Sequence, residues 1–192
     1  PDPSASKGFY YDLFFRQVAP ELAAIAEKGL KIVVNAGNLN PEGLAKKLRE
    51  AIAKAKLDLE VASVAGDDLL DREQELAGAG QLRNLDTGMP LGNLSGRILA
   101  ANAYLGAWGI VEALKAGADI VVTGRVTDAS LTVGPAAWWH GWSQSDFDAI
   151  AGSIAAGHLI VCGPMACDIN FSGFRELGEV SRLGFQIAGI AT

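Results

Sequence analysis

Sulfur and imidazole are scarce in this 192-residue chain, which holds two cysteines, two methionines and two histidines. The cysteines, Cys162 and Cys167, are spaced CxxxxC with no second pair, so neither a zinc framework nor a dithiol redox motif is present. No apolar run reaches the roughly 18 residues needed to span a bilayer, and no charged segment followed by an apolar one opens the chain. Positive charge is also short. Sixteen Lys plus Arg against 22 Asp plus Glu give a net charge of −6, and no basic stripe is gathered for nucleic acid. No internal repeat is visible. These absences predict a soluble, cytoplasmic protein that acts on a small molecule, with no nucleic acid, membrane or metal involved.

What the chain does have is apolar content, at 49% of residues, enough to close one sizeable core. Residues 1–192 are expected to form a single α/β domain. The chain starts at Pro1 without an initiator Met and finishes on the apolar Ile190-Ala-Thr, so it is expected to be part of a longer domain. Four short runs have the length and β-branched content of buried strands: Lys31–Ala36, Leu59–Val64, Asp119–Gly124 and His158–Gly163. Helical patterns lie among them at Phe9–Lys28, Pro41–Lys56 and Ala101–Lys115. The last carries Ala101, Tyr104, Leu105, Trp108 and Val111 on one stripe and ends at Gly117. Strand following helix in this way is the mark of βαβ crossovers. The expected fold is a layered α/β, Rossmann-like arrangement with a mostly parallel sheet flanked by helices.

In such a sheet, ligands bind where strands end and helices begin. The turn after the third run, Thr123-Gly-Arg-Val-Thr-Asp128, is therefore the strongest candidate, with Thr123, Gly124 and Arg125 binding substrate. Arg125 next to a buried strand must have a partner, either protein or an anionic ligand. Asp128 is either that internal partner, the N-cap of the next helix, or a proton-handling group. Asn35-Ala-Gly-Asn-Leu-Asn-Pro41 leaves the first strand for a helix. Asn35, Gly37, Asn38 and Asn40 supply amides, backbone freedom and a cap near a helix N-terminus, where an anion is favoured; they are also ordinary turn residues. No dinucleotide or phosphate-loop fingerprint occurs in this turn.

Asp67-Asp68 is the only carboxylate pair at a strand end, suited to acid/base work, to a hard cation, or simply to capping. His158 and Cys162 fall at opposite ends of the expected fourth strand, too far apart for a nucleophilic pair, which leaves Cys162 as a small core residue. Trp138-Trp-His-Gly-Trp142 reads as core, as subunit contact or as the wall of an apolar pocket. Two stretches break the rhythm. Ala77–Gly96, dense in Gly and Asn, is expected to be a lid or an interface loop, and Gly163–Gly178 follows the fourth run.

Several of these words together resemble the N-terminal domain of the acyclic terpene utilisation protein A family. They are Ile32-Val-Val-Asn-Ala-Gly with Leu39-Asn-Pro, Gly66-Asp-Asp-Leu, Ala101-Asn-Ala-Tyr-Leu-Gly-Ala-Trp, Ala118-Asp-Ile-Val-Val-Thr-Gly-Arg-Val-Thr-Asp-Ala-Ser, Gly134-Pro-Ala-Ala-Trp-Trp, Gly157-His-Leu-Ile and Asn170-Phe-Ser. The likeness extends from about Gly8 onward, and its long central words are the specific ones. Asn38 departs from it, standing where a second Gly is expected, and so does Pro164-Met-Ala-Cys-Asp-Ile before Asn170. The resemblance implies longer relatives, with a further strand and glycine-rich turn upstream. It also implies a role in breaking down acyclic terpenes such as citronellol and geraniol, or related branched acids, through acyl-CoA intermediates.

The leading expectation is a lyase or hydratase acting on an acyl-CoA or carboxylate. Coenzyme A would enter only as part of the substrate. Arg125 and the Asn35–Asn40 turn would hold the anion, Asn102 and Tyr104 would orient the acyl carbonyl, and Asp128 or Asp67 would move protons. The protein would be a homo-oligomer or a subunit of a larger assembly. Two rivals are a non-catalytic subunit that docks an acyl-CoA-processing enzyme and a nucleotide-phosphate binder.

Overall fold

The computed structural model describes residues 9–91, 98–161 and 187–190. Its centre is a three-stranded parallel sheet in the order β1-β3-β2, formed by β1 (Ile32–Val34), β2 (Val61–Val64) and β3 (Ile120–Thr123). Val121 of β3 aligns with Val33 on one side and Ala62 on the other. As the middle strand β3 is buried at every position, whereas β1 and most of β2 are half-buried.

Side chains alternate along a strand, so β3 feeds two separate apolar layers. Ile120 and Val122 pack with Leu44, Leu48 and Ile52 from α3 (Pro41–Ala55) and with Leu22 and Ile25 from α2 (Leu22–Lys28). Val121 faces the other way, toward Ile110 and Leu114 from α5 (Trp108–Lys115). Trp138 on α6 (Ser130–His140) joins this second layer, while Trp139 stays exposed. Helix α3 presents Leu44, Leu48 and Ile52 at four-residue spacing. It starts where expected: the Asn40 side chain accepts from Gly43 N–H at 2.9 Å, and Pro41 occupies the first turn. Helix α5 ends at Lys115, and two residues on Gly117 has a φ of +97° that suits a residue without Cβ.

Three expectations are corrected. The pattern over Phe9–Lys28 is broken into α1 (Asp12–Val18), a 3-10 turn at Ala19–Glu21 and α2, because Pro20 has no N–H to donate and its ring crowds the preceding turn. Residues 101–107 are not helical. Their backbone is drawn into tertiary ladders: Leu69 N–H donates to Ala101 O, Ala103 N–H to Asp67 O and Leu105 N–H to Arg125 O, at 2.7, 2.8 and 2.9 Å. His158–Ile160, expected to open a fourth strand, is the last turn of α7 (Phe147–Ile160); Cys162 and Gly163–Gly178 lie outside the described residues. Ser153 and Gly157, four residues apart, form the buried edge of α7, and helical spacing therefore wins over β-branched content.

At Gly157 an added methyl would lie 2.9 Å from the Ala129 Cα, whereas at Gly152 on the same helix it would meet nothing within 4 Å. Gly157→Ala is therefore expected to lower stability by about 1–3 kcal/mol, and Gly152→Ala to raise it by about 0.5–1 kcal/mol, as read by urea denaturation.

The opposite edge of the sheet is tied by Asp119. Its carboxylate accepts from Lys31 Nζ and from Glu60 N–H, each at 2.8 Å, so one side chain joins the starts of all three strands. Burial pushes this carboxyl up, but the bonds from Lys31 and Glu60 outweigh that and hold it below the ordinary aspartate value. A depressed folded-state value contributes stability above about pH 4 that is lost as pH falls through the lower folded value. Asp119→Asn should flatten the loss of stability as pH falls below about 4, measured by denaturant midpoints at a series of acidic pH values.

Candidate functional site at the carboxyl edge of the sheet

Because the strands are parallel, the turns after β1, β2 and β3 emerge at one edge, and the structure packs them together. A methyl at Gly37 would sit 2.5 Å from the Thr123 carbonyl oxygen, so the asparagine-bearing turn touches the end of β3 directly. That turn is closed by Asn38 N–H to Asn35 O at 3.2 Å and Asn40 N–H to Gly37 O at 2.8 Å. Asn38 is buried with φ of +46°, a left-handed conformation that Gly adopts freely and Asn tolerates better than other side chains. The departure at Asn38 thus falls where glycine would be the natural choice. Asn40 serves as the α3 cap.

The turn after β2 supplies the organising group. Asp67 is 3% exposed, and its Oδ2 accepts from the Arg125 backbone N–H at 2.8 Å and from Asn102 Nδ2 at 3.0 Å. Its neighbour Asp68 is exposed and accepts from Leu70 N–H at 3.0 Å in a local turn, so the two carboxylates point to different tasks. Gly124 makes room for this arrangement, since a Cβ there would lie 2.5 Å from an Asp67 carboxylate oxygen. No group of three or more His, Cys, Asp or Glu side chains set to hold a metal ion occurs among the described residues.

Arg125 leaves β3 half-buried. Its guanidinium lies over the Tyr104 ring, 4.7 Å from the centroid, and Nη2 donates to the Tyr104 hydroxyl. Among the described residues no carboxylate forms an ion pair with it. Asp128 is exposed and takes up neither structural role foreseen for it: it does not pair with Arg125, and α6 is preceded by Ala129 with no side-chain cap. The nearby Thr127 and Ser130 hydroxyls bond each other at 2.5 Å instead. Thr123 is buried, its hydroxyl donating to Gly124 O at 3.1 Å.

Asp67, Asn102, Arg125 and Tyr104 are thus joined in one bonded cluster, with Gly124 packed against the Asp67 carboxylate and Gly37 against Thr123 beside it, while Asp128 stays outside. Asn102 and Tyr104 reach it through an extended segment rather than a helix. Leu105, unmarked as a site residue in the sequence, donates its N–H to Arg125 O and accepts at its carbonyl from Thr127 N–H. Gly106, breaking the helical stripe, was the available signal.

A family model described as acyclic terpene utilisation family protein AtuA matches residues 2–192. The chain belongs to this family. No curated protein and no solved structure matches it. Membership connects this AtuA-family chain with acyclic terpene utilisation, and the cluster at its sheet edge lies in the segments that carry the family resemblance.

The cluster depends on Asp67. Asp67→Ala leaves the Arg125 N–H and the Asn102 amide without their buried acceptor, and stability should fall by about 1.5–3 kcal/mol, read by thermal and urea unfolding.

Proposed function

We propose that this AtuA-family chain is an enzyme of acyclic terpenoid or branched acyl catabolism, of lyase or hydratase type, that binds an acyl-CoA or carboxylate at the carboxyl edge of its sheet. The observation that carries this reading is the Arg125 guanidinium, fixed on Tyr104 at a strand end and lacking a carboxylate partner among the described residues. A cation held in place at a strand end is suited to an anionic group, and a charge-assisted hydrogen bond there is worth about 1.5–3 kcal/mol. In this reading Arg125 and the Asn35–Asn40 turn hold the anion, with Thr123 and Gly124 as the floor. Tyr104 and Asn102 orient the carbonyl, and Asp67 fixes the backbone of Arg125. Coenzyme A takes part as a portion of the substrate, in a cytoplasmic protein that works as a homo-oligomer or within a larger assembly.

A second reading, a non-catalytic subunit, is favoured by the exposed Trp139 and Phe147, at 75% and 72% exposure, which offer a partner apolar surface. Thermal shift across branched acyl-CoAs, free branched acids and nucleotides separates the two. The enzyme reading expects stabilisation by an acyl-CoA or branched acid, and Arg125→Ala should weaken that binding by roughly ten- to a hundredfold while leaving the unliganded melting temperature near wild type. Equal stabilisation of wild type and Arg125→Ala, or a response to nucleotides alone, would count against it.

A further inference from the structure

Helix α7 is apolar on nearly every side, yet little of it is covered. Of its 14 residues only Asp148, Ser153 and His158 have polar side chains, and only Ser153 and Gly157 are buried. A helix that is apolar all round belongs inside a protein rather than on its surface. Helix α4 (Glu73–Gly78) makes the contrast: it buries no residue either, but Glu73, Gln74 and Glu75 suit it to water. On α7 the outer side carries Phe147, Ala151, Ile154 and Ala155, all exposed. Trp139 of α6, exposed as well, stands near the far end of α7, since it lines one small cavity together with Ile160.

The two ionisable groups on that outer side are placed symmetrically. Asp148, Ala151, Ala155 and His158 follow at three- and four-residue spacing and so share one stripe, with Asp148 and His158 at equal distances before and after Ser153. No ion pair among the described residues uses either of them. In a twofold interface residue i meets residue j and j meets i. A second α7 laid antiparallel across an axis near Ser153 therefore sets Asp148 opposite the second copy's His158 twice over and Ala151 opposite Ala155, small side chains that let the helices approach. A parallel arrangement would set Asp148 against Asp148. Imidazole carries an N–H for the carboxylate whether it is protonated or neutral.

The area is also of the right order. A 14-residue helix is about 21 Å long, and antiparallel packing carries Phe147 to the end of the second helix, where Trp139 lies. Phe and Trp each remove about 150–250 Å² from water when covered, a large part of the roughly 800 Å² that each copy contributes to a stable dimer.

We propose that α7 docks against α7 of a second copy of this chain, antiparallel across a twofold axis near Ser153. The proposal deepens the homo-oligomer of the proposed function by naming its surface, and it does not depend on the role given to Arg125.

Sedimentation velocity of the full chain tests it. The native chain should be dimeric at micromolar concentration. Asp148→Lys should weaken the dimer by roughly tenfold or more, because both copies change at once, and adding His158→Glu to it should restore affinity to within about threefold of native. Ala155→Arg, at an exposed position in the stripe, should give a monomer whose circular dichroism is native. Arg125→Ala should remain dimeric while losing ligand-induced thermal shift, so that failure of the strand-edge reading and failure of this one are distinguishable. A native chain that stays monomeric at about 100 μM would overturn the proposal and leave this face to a different protein. A dimer that survives Ala155→Arg, or a charge exchange no stronger than Asp148→Lys alone, would overturn it as well.

Discussion

The buried Asp67 carboxylate is the contact on which the arrangement of the sheet edge rests. A carboxylate almost removed from water is costly unless its oxygens are bonded. Here one oxygen is shared between the Arg125 N–H and the Asn102 amide, which pulls three chain segments into register: the turn after β2, the turn after β3 and the extended stretch 101–105. Backbone bonds from Ala103 to Asp67 and from Leu105 to Arg125 complete the clasp. Gly124 is the steric condition for it. The position of the Arg125 guanidinium over Tyr104 follows from this clasp, since both residues belong to segments that Asp67 holds.

The core makes that edge rigid from below. β3 has no exposed position, and its alternating side chains anchor one layer of helices on each face, so the strand that delivers Thr123 and Arg125 is the one buried at every position among the described residues. At the opposite edge Asp119 joins all three strands through Lys31 and Glu60. One aspartate therefore secures each end of the sheet, the exposed-side one by an ion pair and the inner one by neutral donors. The Asn35–Asn40 turn then lies against the end of β3 through the missing side chain of Gly37.

What could be read from the residues was whatever local chemistry decides. Pro41 after Asn40 marks a helix start, and Gly117 marks a helix end. The β-branched run Ile120-Val-Val-Thr marks a buried strand, and each stands within a residue or two of its expected place. Non-local bonds were hidden. The stripe Ala101, Tyr104, Leu105 fits a helix until the partners of its backbone groups are known, and those partners lie about 20 to 35 residues away in sequence. His158-Leu-Ile-Val has strand-like composition, yet the small residues Ser153 and Gly157 let α7 approach Ala129 on the α6 side, and close helix packing decides the conformation. Asp67 and Asp68 are identical in sequence terms, and only the fold shows one turned inward and the other outward.

The family assignment and the geometry meet at one group of residues, and the account stands on whether the Asp67 clasp holds Arg125 in the folded chain. Amide hydrogen exchange at Arg125 reads this most directly. The N–H is expected to be protected in the native protein to a degree comparable with Val122 and Thr123, and in Asp67→Ala to exchange as freely as a loop amide while β3 keeps its protection. An Arg125 N–H that exchanges rapidly in the native protein, or that remains protected without the Asp67 carboxylate, would contradict the account.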